Sequence, residues 1–289
     1  MPWTWLIYRN LNMSSDRAVI FIHIPKTAGS TLRPIMDRHY PRHVIRKLDF
    51  LPRDLDAFLK LPEQARSQIR VLQGHFPFGL HEQLAVPADY VTILRDPVDR
   101  IISMYYWIQG NHEHVLNKLV RSMSLKDFAD SGFEITTNHQ TSLISGLIAN
   151  PENNAFAIAR SHLESEITAF GLNERFDESL LLFKKRLGWK HIFYSRRNVT
   201  KSRPRRSEVP ASVLEIIQRH NSLDLELYEF AREKFDGAIR DLGPSFQYEV
   251  RRFQGLNAIW ARFDKGRTAL RRSLPPQVKA GLKKALGRG

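Results

Sequence analysis

Cysteine is absent from all 289 residues. The chain therefore makes no disulfide, no thiolate metal site and no cysteine nucleophile, and it suits a reducing compartment. Long apolar runs are absent too: nothing approaches the about 20 residues needed to cross a bilayer. The opening Trp3-Thr4-Trp5-Leu6-Ile7-Tyr8 is too short for a span. It also lacks the basic n-region and small-residue cleavage site of a signal peptide. Met1 and Met13 are both candidate starts. No internal repeat, low-complexity tract or Pro/Gly/Ser-rich linker interrupts the body. We therefore expect one domain over residues 1–250, followed by a basic, helical tail over 251–289.

Acidic residues are scarce in that tail. From Arg251 to Gly289 there are 11 Lys and Arg against Asp264 alone, which is +10 of the net +14. The tail reads equally as a segment drawn to an anionic membrane surface or polymer and as a solvated helical extension. No recognisable nucleic-acid-binding module accompanies the charge, so no nucleic-acid partner is expected.

What is present is an ordinary globular composition, 42% hydrophobic and 26% charged, with length enough for a large core. Ala18-Val19-Ile20-Phe21-Ile22-His23-Ile24 reads as a strand buried on both faces. Arg70-Val71-Leu72-Gln73, Tyr90-Val91-Thr92-Ile93-Leu94 and His191-Ile192-Phe193-Tyr194 read as further strands. Helical periodicity marks 55–61, 98–107, 125–129, 155–163, 178–187 and 213–235. Strands alternating with helices predict an α/β fold with a mainly parallel central sheet. Ligands of such sheets bind at the carboxyl ends of the strands.

Two strand ends carry anion-binding chemistry. After the first strand, Pro25-Lys26-Thr27-Ala28-Gly29-Ser30-Thr31 leads into a helix N-terminus. Unpaired N–H groups and the helix dipole favour a phosphate or sulfate there. Lys26 adds a mobile charge, Thr27, Ser30 and Thr31 add hydroxyls, and Gly29 permits close approach. Lys26 precedes Gly29, so this is not the Walker A pattern of kinases and ATPases. After the third strand, Arg95 offers a planar fork of donors, and Ser103 lies two turns along the next helix. Asp96 caps that helix and Pro97 starts it. Among 11 histidines, His75 follows a buried strand in Gln73-Gly74-His75-Phe76-Pro77. It reads as a general base or as a histidine hydrogen-bonded in a strand-end turn. His112 and His114 lack further metal ligands.

The string Phe21-Ile22-His23-Ile24-Pro25-Lys26-Thr27-Ala28-Gly29-Ser30-Thr31 resembles the 5′-phosphosulfate loop of Golgi-type carbohydrate sulfotransferases, most nearly the heparan sulfate 2-O-sulfotransferase branch and its bacterial relatives. Leu94-Arg95-Asp96-Pro97-Val98-Asp99-Arg100-Ile101-Ile102-Ser103 resembles the same family's 3′-phosphate element. Similar stretches recur at 137–141, 170–180 and 221–228, so the resemblance covers most of 18–235.

The resemblance implies a P-loop-like three-layer fold flanked by helices. It also implies PAPS (3′-phosphoadenylyl sulfate) as donor, PAP as product and no metal requirement. Lys26, Thr27, Ala28, Gly29, Ser30, Thr31, Arg95 and Ser103 would hold the nucleotide, with His75 as base and Lys26 stabilising the leaving oxygen. A carbohydrate or glycolipid would be the acceptor. His139, in Thr137-Asn138-His139-Gln140-Thr141, would face it. The basic run 196–204 would close over the nucleotide, contact an anionic acceptor, or be only an exposed loop. Golgi members carry a membrane anchor and lumenal disulfides. Their lack here implies a soluble, bacterial-type, cytoplasmic member, touching the membrane if at all through 251–289. A P-loop-type kinase or ATPase and a non-enzymatic anion-binding surface protein are the competing expectations. Nothing in the sequence sets the oligomeric state.

Overall fold

The computed structural model describes residues 17–49, 52–148, 154–196 and 203–273. Met13, the apolar segment 3–8, residues 197–202 of the basic run and residues 274–289 of the tail lie outside these.

Five parallel strands form one sheet: β1 (Ala18–Ile22), β2 (Ile45–Leu48), β3 (Val71–Gly74), β4 (Ala88–Leu94) and β5 (Ala169–Leu172), in the order β2-β3-β1-β4-β5. Every residue of β1 is buried, so both faces are covered, as its unbroken β-branched and aromatic run requires. From β1 the chain runs to the edge strand β2, returns to β3 beside β1, then crosses to β4 and β5 on the other side. The reversal lies between β1 and β4, where the carboxyl ends of an open sheet leave a crevice.

The helices in chain order are α1 (Gly29–Met36), α2 (Arg53–Leu59), α3 (Glu63–Arg66), α4 (Pro97–Gly110), α5 (Asn117–Arg121), α6 (Leu125–Ala129), α7 (His139–Ser145), α8 (Ala155–Ser161), α9 (Phe176–Leu187), α10 (Ala211–His220), α11 (Ser222–Asp241) and α12 (Pro244–Ser273). One apolar core joins the sheet to α1, α9, α11 and the start of α12, and a second joins α4, α5, α6 and α10. Fully buried Arg100 of α4 lies near fully buried Asp224 of α11 (Nη2 to Oδ2, 3.9 Å). Among the described residues no helix is long and apolar enough to cross a membrane.

Two expectations need correction. His191–Tyr194 is neither strand nor helix and pairs with no described strand. Its backbone is held from the side, with Tyr194 N–H donating to the Asn257 side chain of α12 (2.8 Å), and Phe193 stacks on Phe253 and Trp260. Its apolar pattern serves packing under α12. Two strands that the sequence pattern did not mark complete the sheet, β2 (Ile45–Leu48) at one edge and β5 (Ala169–Leu172) at the other. There a Cβ on Gly171 would fall 2.5 Å from Ser179 Cβ, so glycine is what lets α9 approach β5. The periodic run 213–235 is two helices. Asn221 interrupts it, its side-chain amide donating to the Thr136 and Ile217 carbonyls.

The charge step at 250/251 falls inside α12. Phe246, Val250 and Phe253 are all buried in the main core, so this helix packs on the body across the step.

Candidate active site

The ends of β1, β3 and β4 open into one cleft of about 940 Å³. The β1 loop turns through two left-handed residues, Lys26 (φ 71°) and Ala28 (φ 70°). Non-glycine residues rarely adopt this conformation, and its cost persists only where surroundings enforce it. Here Thr27 enforces it from inside: its buried hydroxyl donates to the Ile24 carbonyl (2.8 Å). Thr27 thus shapes the loop instead of lining the cleft. Pro25, Lys26, Ala28, Gly29, Ser30 and Thr31 do line it. Ala28 gives α1 no side-chain cap; Thr31 N–H donates to the Ala28 carbonyl (2.8 Å), which leaves the Gly29 and Ser30 N–H groups for another acceptor. Gly29 is required by contact: a Cβ there would lie 1.9 Å from the His23 ring.

Arg95 leaves β4 buried, its Nη1 donating to the Lys26 carbonyl (2.9 Å). Its backbone is clamped by Gln140, whose Oε1 accepts from Arg95 N–H (3.0 Å) and whose Nε2 donates to its carbonyl (2.9 Å). Arg95 Nε is buried with no hydrogen-bond partner, the Glu174 carboxylate standing 4.0 Å away. Arg203 lines the same cleft. Burial, then the Arg95 and Arg203 charges, pull the Lys26 ammonium down to about 8. Burial, then Arg203, lowers Arg95. Three cations converge here, with Glu174 the carboxylate paired to Arg95 at 4.0 Å, and the excess of positive charge fits a polyanion.

Lys26 rests over the Trp107 ring, Nζ 4.7 Å from its centroid. Trp107 sits four residues beyond Ser103 on α4, and both face the cleft. Sequence reading singled out Ser103 but not Trp107, although the one-turn spacing carried the signal. It also missed Glu174, which accepts from Asp96 N–H (3.2 Å) and the Tyr228 hydroxyl (2.8 Å) beneath Arg95.

His75 stands at the end of β3. Its Nδ1 lies 2.7 Å from the His23 carbonyl oxygen. A carbonyl only accepts, so Nδ1 carries the proton and Nε2 keeps its lone pair. Burial lowers the His75 pKa, and the bond to His23 opposes this only in part. The ring is thus a neutral base of fixed tautomer, packed tilted against His23 with ring centroids 4.4 Å apart. His139, at the start of α7, lines the cleft as well. Its buried Nδ1 has no hydrogen-bond partner, Glu134 Oε1 being 3.6 Å away. Burial, then Arg100 and His75, pulls it to about 3, so it too is neutral. Asp224 accepts from Gln140 N–H, Thr141 N–H and the Thr141 hydroxyl (3.1, 2.7 and 2.8 Å), which places the start of α7. Among the described residues no three acidic or histidine side chains are grouped to hold a metal ion.

Sheet topology and cleft together define an α/β protein with an anion-cradling βα loop at its switch point. The profile described as Galactose-3-O-sulfotransferase matches residues 8–264, and the chain belongs to that family of carbohydrate sulfotransferases. It is 26% identical over 244 residues to human Galactose-3-O-sulfotransferase 3, covering 75% of this chain and 56% of that protein. It is 23% identical over 296 residues to mouse Heparan-sulfate 6-O-sulfotransferase 2, covering 78% and 45%. The chain thus spans about half the length of these relatives. Their names are those of 3-O and 6-O enzymes, not of the 2-O branch that the sequence resembled.

Proposed function

We propose that this protein transfers a sulfuryl group from PAPS to a hydroxyl of a carbohydrate-type acceptor, with His75 as general base. The observation that carries the reading is the meeting, in one cleft, of a cationic anion-cradling loop and a neutral histidine with a free Nε2. Family membership supports the reaction class. The nucleotide fits on the evidence of Arg95, whose buried Nε lacks a hydrogen-bond partner beside Lys26 and Arg203.

When bound, PAPS supplies the sulfuryl group and departs as PAP. The backbone N–H groups of 28–30 and the Ser30 and Thr31 hydroxyls hold its 5′ end, and Arg95 with Ser103 holds the 3′-phosphate. His75 Nε2 takes the proton of the acceptor hydroxyl, and the His23 carbonyl steadies the imidazolium that results. Lys26 offsets the negative charge that grows on the leaving oxygen. A well-placed donor of this kind contributes on the order of 10²–10³ in rate. No step in this account needs a metal.

Calorimetric titration with PAP and with ADP, repeated on Arg95→Ala, tests the nucleotide site. PAP is expected to bind without magnesium, ADP far more weakly, and the variant to lose most of the preference. Equal affinity for PAP and ADP, or ATP turnover with magnesium, would overturn the reading in favour of a kinase or ATPase. Sulfate transfer from labelled PAPS to a panel of neutral and anionic glycans and glycolipids then identifies the acceptor.

A further inference from the structure

Seven large apolar side chains are prominently exposed among the described residues, and four of them lie on α12: Tyr248 (67%), Leu256 (45%), Ile259 (54%) and Phe263 (75%). Exposed apolar residues scattered singly need no explanation, but a cluster on one helix face does. An adjacent side of α12 is committed to the body through buried Phe246, Val250 and Phe253. Farther along, Asn257 accepts from Tyr194 N–H and Asp264 from the Ser195 hydroxyl (2.9 Å). The helix is therefore fixed, with its second stripe turned outward.

Arg252, Leu256, Ile259, Phe263 and Arg267 follow one another at intervals of three or four residues, which places them along a single face. Three apolar side chains occupy its middle and an arginine each end. Exposed Arg262 lies roughly a quarter-turn round the helix from the middle of this face. Asp264, the single acid of the region, is engaged by Ser195 and by Arg267.

We propose that this face of α12 docks the protein on an anionic lipid surface. Leu256, Ile259 and Phe263 would enter the headgroup boundary while the flanking basic side chains meet lipid phosphates and carboxylates. The charge pattern selects this occupant over two others. A second copy of the chain would bring like-charged faces together. A nucleic acid would satisfy the arginines but leave the three apolar side chains without use.

The test is co-sedimentation of the full chain with vesicles of phosphatidylcholine alone and of phosphatidylcholine with phosphatidylserine. Binding is expected only with the anionic lipid, weakening as salt is raised. Ile259→Asp with Phe263→Asp should reduce it at least tenfold. Arg252→Gln and Arg267→Gln should each reduce it about fivefold. PAP titration of each variant, expected unchanged, shows that the fold and the nucleotide cleft survive. Equal binding to neutral vesicles, or undiminished binding by the double aspartate variant, overturns the proposal. So does a wild-type dimer in light scattering that the double variant dissociates, since the face would then join two copies. Vesicle binding that appears only after removal of residues 1–16 would assign the face to the chain's own apolar segment and also overturn it.

Discussion

At the scale of single residues, the cleft is organised by what burial does to three ionisable groups. His75 and His139 are held neutral, and Lys26 is brought down to about 8. The working state requires His75 unprotonated and Lys26 protonated. Activity should therefore fall on acidification below the ordinary imidazole value of 6.5, and on alkalinisation above about 8. These limbs belong to kcat/KM, which reports the free enzyme. In kcat the alkaline limb should move upward, because a bound polyanion beside Lys26 favours its charged form. Arg95→Ala should move the kcat/KM limb in the same direction, since Arg95 is the largest charge opposing protonation of Lys26. His75→Gln should cost about 10²–10⁴ in rate and abolish the acid limb. Rate profiles across pH check both, and an acid limb that survives unaltered in His75→Gln would remove this histidine from the role of base.

At the scale of elements, the unit β1–loop–α1 was legible in sequence because its signals are local. A buried β-branched strand, a breaker, a lysine and a glycine follow within fourteen residues, and each feature acts on its neighbours. Arg95 and His75 were legible for the same reason, as residues that end strands. Strand β5 and the unpaired segment 191–194 were not. A ladder partner is chosen across the fold, and Gly171 could be understood only once α9 was seen to approach it. Trp107 and Gln140 were missed as site residues because one acts through Lys26 and the other through the Arg95 backbone. The tight packing of the loop gives a prediction that belongs to the element as a whole. In Gly29→Ala the new Cβ collides with the His23 ring, which is itself packed between Phe21 and His75 and cannot retreat cheaply. The loop must shift instead, so PAP affinity should fall at least tenfold while the sheet keeps its circular-dichroism signature. A fully active Gly29→Ala variant would show that the loop and His23 are not coupled in this way.

At the scale of the molecule, the question is where the domain ends. Charge composition suggested a boundary near 250, yet packing carries the body farther. Phe253 is in the main core, Phe193 stacks on Phe253 and Trp260, and Tyr194 and Ser195 bond to Asn257 and Asp264. The family match stops at residue 264, the position at which the Ser195 contact is made. Composition could not reveal this, because a helix that packs on one side and carries arginines on the other averages to a basic tail. A chain ending at residue 250 should lose the burial of Phe253 and the cover over Phe193, about 3–5 kcal/mol by comparison with other large-to-small core changes. That is a sizeable part of the 5–15 kcal/mol typical of a folded domain. Its melting temperature should drop by on the order of 10 °C, and PAP binding should weaken with it, because Tyr194 and Arg196 line the cleft on the segment that α12 holds down. A chain ending at Ser273 should melt like the full protein and bind PAP equally well. Thermal melts with and without PAP on the two truncations decide the matter: equal stability of both would return the domain boundary to 250.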